Sequence, residues 1–211
     1  MSSVPSLLRA ELLRLRTSQT TAALLAATAL VSLALGVVGI AGEYRHGTIG
    51  HALLAAPARW PVVLAKVLAH GLAGLLLGLV ALAITFAAGV PGLAGEDAGV
   101  SYSSSLVRYV VLGTLVAPAL FGAIGVGLGA LLRDQPLALA IGLGWMLLVD
   151  SLAMSLIPEL GRFLPGGALT SLVRGQTQDV LPAALAGLLL LVYAVALAAA
   201  GALALRRRDL T

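Results

Sequence analysis

Long apolar runs alternate with shorter polar segments along the whole chain. Five of these runs are long enough to cross a bilayer, because a helical crossing needs about 20 predominantly apolar residues. They cover residues 19–41, 67–90, 109–132, 136–157 and 181–205. We therefore predict an all-α, polytopic helical membrane protein with about five transmembrane helices, in which residues 1–211 form a single transmembrane domain.

The segment before the first apolar run has an amphipathic pattern. Between residues 5 and 17, leucines interleave with Arg9, Arg14 and Arg16. This pattern favours a helix over residues 1–18 that lies in the membrane interface instead of crossing it. We expect no cleaved signal peptide, because the apolar run that follows is too long and no A-x-A site follows it.

The polar segment 43–66 separates the first two apolar runs and has helical features of its own. Thr48 is suited to cap a short helix, and Pro57 would end that helix at the preceding residue. The apolar residues at i, i+3, i+4 and i+7 are Ile49, Ala52, Leu53 and Ala56. They form one apolar face. The segment therefore predicts a short helix held at the membrane surface, as a contact for a partner or as a simple anchor.

Composition supports membrane insertion and excludes several other classes. The chain is 60% hydrophobic and 10% charged, with a mean hydropathy of +1.05, whereas soluble domains are about 25% charged. Cysteine is absent, which excludes disulfides, thiol nucleophiles and cysteine-ligated metals. The net charge of +4 comes from positions in loops and tails, so it indicates orientation in the lipid bilayer and not binding to nucleic acid.

Charge also predicts the orientation, with one conflict. Positive residues concentrate on the cytoplasmic side, so the arginines at 206–208 place the C-terminus in the cytoplasm. Counting back, 158–180 and 91–105 lie outside and 42–66 lies inside. Five crossings then place the N-terminus outside, although its first 18 residues carry three arginines against Glu11. Either that segment breaks the tendency, or the run 19–41 does not cross fully.

Asp150 is the one acid inside an apolar run. Intramembrane acids usually face a bundle interior or a water-filled cavity. One interpretation makes Asp150 a polar element of a substrate path, or a contact across a dimer. The other places it near the outer interface, hydrogen-bonded to Ser151 or Ser155.

Motifs for catalysis, nucleotides and metals are missing from the sequence. The sequence contains none of the motifs GxxxxGK[ST], GxSxG and HExxH. Glu43, His46 and His51 have spacings that do not suit one metal site. We expect no catalytic residue, no metal and no cofactor on this chain, although Asp150 or the histidines leave an intramembrane enzyme as a third hypothesis.

Several short segments resemble the permease subunits of the ABC-2 family, the membrane halves of bacterial ATP-binding-cassette exporters. They are G-E-Y-R-H-G-T at 42–48, L-L-A-A-P-A-R at 53–59, A-K at 65–66, G-R-F-L-P-G-G-A-L at 161–169, R-R-R-D-L at 206–210 and, in the N-terminal helix, A-E-L-L-R-L-R-T at 10–17. Their order and spacing along the chain carry the resemblance more than any one of them does.

The resemblance implies that 43–66 contains a coupling helix that docks into a cytoplasmic ATP-binding-cassette ATPase. It assigns this role to Glu43, Tyr44, Arg45, Gly47, Thr48, Leu53, Leu54, Pro57 and Arg59. It also implies ATP and Mg²⁺ on the ATPase, a second copy or a sister permease as partner, and a bacterial plasma membrane location with a cytoplasmic C-terminus.

One departure from the family pattern bears on function. The family usually has six crossings, two of them before the E-Y-R-x-G-T segment, but here Thr17 and Glu43 are only 26 positions apart. A crossing is therefore missing from the first part of the chain. The alternative to an exporter is a non-transporting module derived from such a permease: a scaffold, an immunity-type protein or a remnant.

Overall fold

The computed structural model describes residues 19–47, 59–93, 105–174 and 181–207. Regular structure within these ranges is entirely helical, and five helical segments are long and apolar enough to cross a membrane. They are Ala23–Arg45, Trp60–Phe86, Val111–Leu132, Gln135–Leu156 and Ala183–Leu205. The predicted all-α, polytopic fold with five crossings is confirmed.

Four crossings are continuous helices, whereas the fourth in the chain is interrupted. The continuous ones are α1 (Gln19–Arg45), α2 (Arg59–Leu93), α3 (Ser105–Leu132) and α8 (Ala183–Arg207). The interrupted crossing consists of α4 (Gln135–Gly144), a π-helical turn (Trp145–Val149) and α5 (Asp150–Leu156). Two short helices follow it, α6 (Pro158–Gly161) and α7 (Pro165–Arg174). Helix α2 begins at Arg59, well before the apolar run predicted from residue 67, so Lys66 lies inside a crossing and not in the polar segment.

Helix α3 is the centre of the bundle and packs against α1, α2 and α8. Glycines allow the neighbouring backbones to approach it closely. A Cβ on Gly125 would lie 2.9 Å from the carbonyl carbon of Leu33 in α1, and one on Gly127 would lie 2.6 Å from the nitrogen of Ala198 in α8. Small residues on several faces of one helix therefore explain why that helix is central.

Contacts between helix ends fix the directions of the crossings. Tyr44 at the end of α1 lies against Arg133, just after α3, and Arg133 bonds to Ala204 near the end of α8. Glu43 meets Lys66 near the start of α2. The ends of α1, α3 and α8 and the starts of α2 and α4 therefore share one face of the bundle.

This arrangement resolves the conflict over the first apolar run. Helix α1 passes along the length of the bundle beside α3, so residues 19–41 belong to a full crossing. Because α1 and α8 both end at the face that carries Lys66, Gln19 and Arg207 lie at opposite faces. Residues 1–18, predicted as an interfacial helix, lie outside the described ranges.

The opposite face is covered by the short helices α6 and α7, in a region predicted only as a loop. Helix α7 packs against α3, where the backbone of Leu172 approaches Gly113. The hydroxyl of Ser171 accepts a hydrogen bond of 3.2 Å from the amide of Leu181, just before α8. These contacts attach α7 to the crossings instead of leaving it as a free connection.

Candidate functional site

Helix ends meet in a cluster that we call the polar junction. It consists of Glu43, Tyr44, Lys66, Arg133 and Asp134. All five residues lie at helix ends or in the first turns of a crossing, on the face shared by α1, α2, α3, α4 and α8.

The first part of the junction joins α1 to α2. The ammonium of Lys66 donates to Oε1 of Glu43 at 2.5 Å and to the carbonyl oxygen of Gly39 at 3.0 Å. Both charged side chains are partly buried, with 16% of Lys66 and 30% of Glu43 exposed. Helices α1 and α2 come before and after residues 48–58. The ion pair therefore joins the two ends of the segment to which the sequence analysis assigned the coupling role.

The second part of the junction joins α1, α3 and α8. The guanidinium of Arg133 lies 5.3 Å from the centre of the Tyr44 ring, a cation–π distance. Its Nη2 donates to the carbonyl oxygen of Ala204 at 2.8 Å, near the C-terminal end of α8, where helix carbonyls carry partial negative charge. Arg133 therefore connects three crossings.

Asp134 turns the chain from α3 into α4. Its carboxylate accepts a hydrogen bond of 2.7 Å from the amide of Leu137, which satisfies one of the free donors at the start of a helix. Pro136 occupies the first turn, where its missing N–H costs nothing. The connection between the two crossings is therefore short and fixed.

The predicted coupling residues fall in three groups. Glu43 and Tyr44 are half-buried in the polar junction, while Arg45 and Gly47 are exposed beside it. Gly47 has φ +68°, in the left-handed region that favours glycine. Thr48, Leu53, Leu54 and Pro57 lie outside the described residues, as does the side chain of Arg59.

Lys66 and Arg133 are site residues that sequence reasoning missed. Lys66 was included only as the last residue of the polar segment 43–66, and Arg133 was not singled out. The available signal was the opposite charge of Glu43 and Lys66 at the two ends of the polar segment. Nothing in the sequence indicated that Arg133 would reach Tyr44 and Ala204.

Asp150 lies away from the junction, in the part of the fourth crossing nearer the opposite face. It is 3% exposed, and its Oδ2 accepts a hydrogen bond of 2.6 Å from the amide of Gly166 in the first turn of α7. Of the serines considered as partners, Ser155 instead donates to the carbonyl oxygen of Leu152. The carboxylate thus caps a helix, and the free amides and dipole at that helix end favour a negative charge.

The π-helical turn explains how Asp150 becomes buried. In an uninterrupted α-helix the buried face through Ala138 and Gly142 would next include Val149, about two turns later. The amide of Asp150 instead bonds to the carbonyl oxygen of Trp145, which adds one residue to the turn. Val149 is therefore 39% exposed and Asp150 takes its place on the inner face.

No group of three or more histidine, cysteine, aspartate or glutamate side chains comes together among the residues that the structure describes. The two described histidines, His46 and His70, each lie against a backbone carbonyl oxygen instead. Nδ1 of His46 lies 2.7 Å from the carbonyl oxygen of Gly42, and Nδ1 of His70 lies 2.9 Å from that of Lys66. Both rings therefore bond to the preceding turn of their own helix.

Comparison with known proteins gives one match. A family model described as "ABC-2 family transporter protein" matches residues 10–210 of this chain. The searches of curated proteins and of solved structures return no match. The matched region includes all five crossings, the polar junction and Asp150.

Proposed function

Since this chain belongs to the ABC-2 transporter family, we propose that it is the permease subunit of a bacterial exporter. In this proposal ATP and Mg²⁺ bind to a separate cytoplasmic ATPase of the ATP-binding-cassette type. The permease works in the plasma membrane with a second copy or a sister permease, and its C-terminus is cytoplasmic.

The observation that carries the proposal is the contact between the two helices on either side of residues 48–58. The ion pair of Glu43 with Lys66 ties together the two helices that flank residues 48–58. A force applied to those residues by a docked ATPase would therefore move α1 and α2 as a pair. A loop whose flanking helices were not tied would absorb the same displacement.

The rest of the polar junction gives the displacement a route into the bundle. Movement of α1 acts on Arg133 through the Tyr44 ring, and Arg133 acts on α8 through the carbonyl oxygen of Ala204. Closure of the ATPase on ATP would shift these helix ends together. The shift opens a path for substrate at the far side of the bundle or between two permeases.

A second candidate is a non-transporting module derived from such a permease. The count of five crossings among the described residues favours it, because the resembling permeases usually have six. The two candidates differ in one measurable property, the presence of an ATPase partner.

The test is a mild-detergent purification of the C-terminally tagged chain from its native host, with co-purifying proteins identified by mass spectrometry. We expect a stoichiometric ATPase that carries a nucleotide-binding loop. A folded, membrane-inserted chain that recovers no ATPase would contradict the exporter and support the non-transporting module.

Variants at the two ends of the segment between α1 and α2 sharpen this test. Arg45→Ala and Arg59→Ala should each weaken ATPase association about fivefold to thirtyfold, which corresponds to the loss of about 1–2 kcal/mol from an arginine that anchors an interface. Arg162→Ala, at the opposite face, is the matched control and should leave recovery unchanged. Equal recovery in all three variants would remove the coupling assignment.

A further inference from the structure

A cavity of about 420 Å³ lies between α1, the fourth crossing and α7. Its walls are mostly apolar and include Met146 and Met154, whose flexible side chains adapt to varied shapes. Asp150 and Ser151 line it from the fourth crossing, and Thr170 lines it from α7. The cavity is therefore an apolar space with a carboxylate at its wall.

The carboxylate of Asp150 is only partly compensated. Its Oδ2 accepts the Gly166 amide, and the Trp145 side chain also interacts with the carboxylate, but the buried Oδ1 makes no well-formed hydrogen bond. No basic side chain in the described part of the chain forms an ion pair with it. The start of α7 places partial positive charge beside the carboxylate, which is less than a full counter-charge.

A buried oxygen without a partner costs free energy that a ligand can recover. The cost is larger for a charged group than for a neutral one. A group that satisfies Oδ1 must donate a hydrogen bond, and a positive charge on that group would balance the remainder. The hydroxyl of Thr170 does not donate to Oδ1, because it donates to the carbonyl oxygens of Gly166 and Gly167.

The geometry points to a binding site for a lipophilic amine, in which the protonated amine donates to Asp150 and the apolar body occupies the cavity between α1 and α7. The volume is within the range of small-molecule pockets, about 300–1,000 Å³. The inference rests on the proposed function, because it names amphipathic amines as the class of compound that the exporter would carry. Binding itself requires only this chain.

The two tryptophans of the chain provide a direct assay. Trp145 lies one π-helical turn before Asp150, whereas Trp60 lies in the first turn of α2, near the other end of the bundle. In the Trp60→Phe chain, reconstituted in nanodiscs of neutral phospholipid, Trp145 is the remaining indole, and it directly precedes Met146, which lines the cavity. The Trp145→Phe chain, which keeps Trp60, measures general partitioning into the lipid.

The probes are a brominated dodecylamine and the matching brominated dodecanol, which quench nearby indole fluorescence. After correction for the Trp60 signal, we expect the amine to quench Trp145 at a concentration at least about tenfold below that of the alcohol. Equal quenching by amine and alcohol in the otherwise native chain would overturn the inference, whatever the variants do.

Asp150→Asn tests the assigned acceptor. The amide oxygen of asparagine can still accept the Gly166 N–H, so α7 keeps its cap, but the charge is lost and the preference for amine should disappear. Asp134→Asn is the matched control, because Asp134 also caps a helix of the same crossing, and it should keep the preference. An amine preference that survives Asp150→Asn would overturn the site.

A second variant covers the case in which Asp150→Asn does not fold. Ala26→Leu narrows the cavity and leaves Asp150 in place, so it should raise the amine concentration needed for quenching; unchanged quenching would count against the cavity. Neither outcome depends on an ATPase. Failure of amine binding and failure of ATPase recovery are therefore separate results.

Discussion

Arg133 has a backbone conformation that is unusual for a residue with a side chain. Its φ of 60° is in the left-handed region, which costs a non-glycine residue roughly 1–2 kcal/mol. The contacts of its side chain with Tyr44 and Ala204 offset this cost. Glycine would fit the backbone better but would make neither contact, so the arginine at this position is explained by the junction.

This conflict gives a prediction at position 133. Arg133→Ala removes both contacts and keeps the strain, whereas Arg133→Gly removes the contacts and relieves it. Both variants should be less stable than the native chain, with alanine below glycine by about 1 kcal/mol. Thermal unfolding of the purified chain in detergent measures the order.

Arg162 is the matched control for this pair of variants. It has φ −62°, an ordinary helical value, so the order there should reverse and glycine should be the less stable replacement. Alanine equal to or above glycine at position 133 would mean that the backbone is not held in the left-handed region.

Asp150 shows how far residue-level reasoning extends. Its position in an apolar run left two interpretations open, an acid that faces the bundle interior and an acid near the outer interface. Its partner, the amide of Gly166, is on a helix that the sequence presented as loop. The π-helical turn that rotates Asp150 inward has no signal in residues 145–149, because their apolar composition suits any helix.

Among the elements, α3 depends on glycine more than on large apolar side chains. The run 109–132 is rich in glycine, and small residues favour close contacts between membrane helices. The structure adds which neighbour each glycine faces: Gly125 meets α1, Gly122 meets α2 and Gly127 meets α8. In lipid, helices associate through close packing and not through the hydrophobic effect, so added methyl groups on these faces should separate the helices.

Two glycine-to-alanine substitutions test the role of packing. Gly125→Ala would place its Cβ against the backbone of Leu33, so we expect a loss of about 1–3 kcal/mol, as for other overpacked sites. Gly144→Ala meets nothing within 4 Å and should be neutral or stabilise by up to about 1 kcal/mol, since alanine favours helix. Unfolding temperatures measured under the same conditions compare the two, and a similar change in both would show that α1 and α3 are not in close contact.

For the whole molecule, positive residues collect at one end of the bundle, the end that the sequence predicts to be cytoplasmic. The exposed Arg45 and the junction residues Lys66 and Arg133 lie at that end, and α8 ends there at Arg207. Short cytoplasmic connections carry the excess of positive residues. Since five crossings separate Gln19 from Arg207, the same prediction places Gln19 at the external face.

The topology can be tested without preparing a special background, because the chain has no cysteine. We expect His46→Cys to react with a membrane-impermeant maleimide only after cells are permeabilised. Phe163→Cys, between α6 and α7 and exposed in the native chain, should react in intact cells. Reaction of both cysteines from the same side would contradict the arrangement of crossings.

The sequence by itself determined the helical membrane class, the five crossings and the family. The class and the crossings follow from local properties, because a segment of about 20 apolar residues in lipid must satisfy its own backbone hydrogen bonds as a helix. The family was indicated by short segments that resemble it, in the same order along the chain. It also predicted Glu43 and Tyr44 as functional positions.

Only the tertiary structure decided that α1 crosses fully and that α3 is central. The same holds for the pairing of Glu43 with Lys66, Arg133 with Ala204 and Asp150 with Gly166. Each of these is a relation between residues far apart in the chain. Hydropathy and helical periodicity each describe one segment at a time, so they do not indicate which distant residues come into contact.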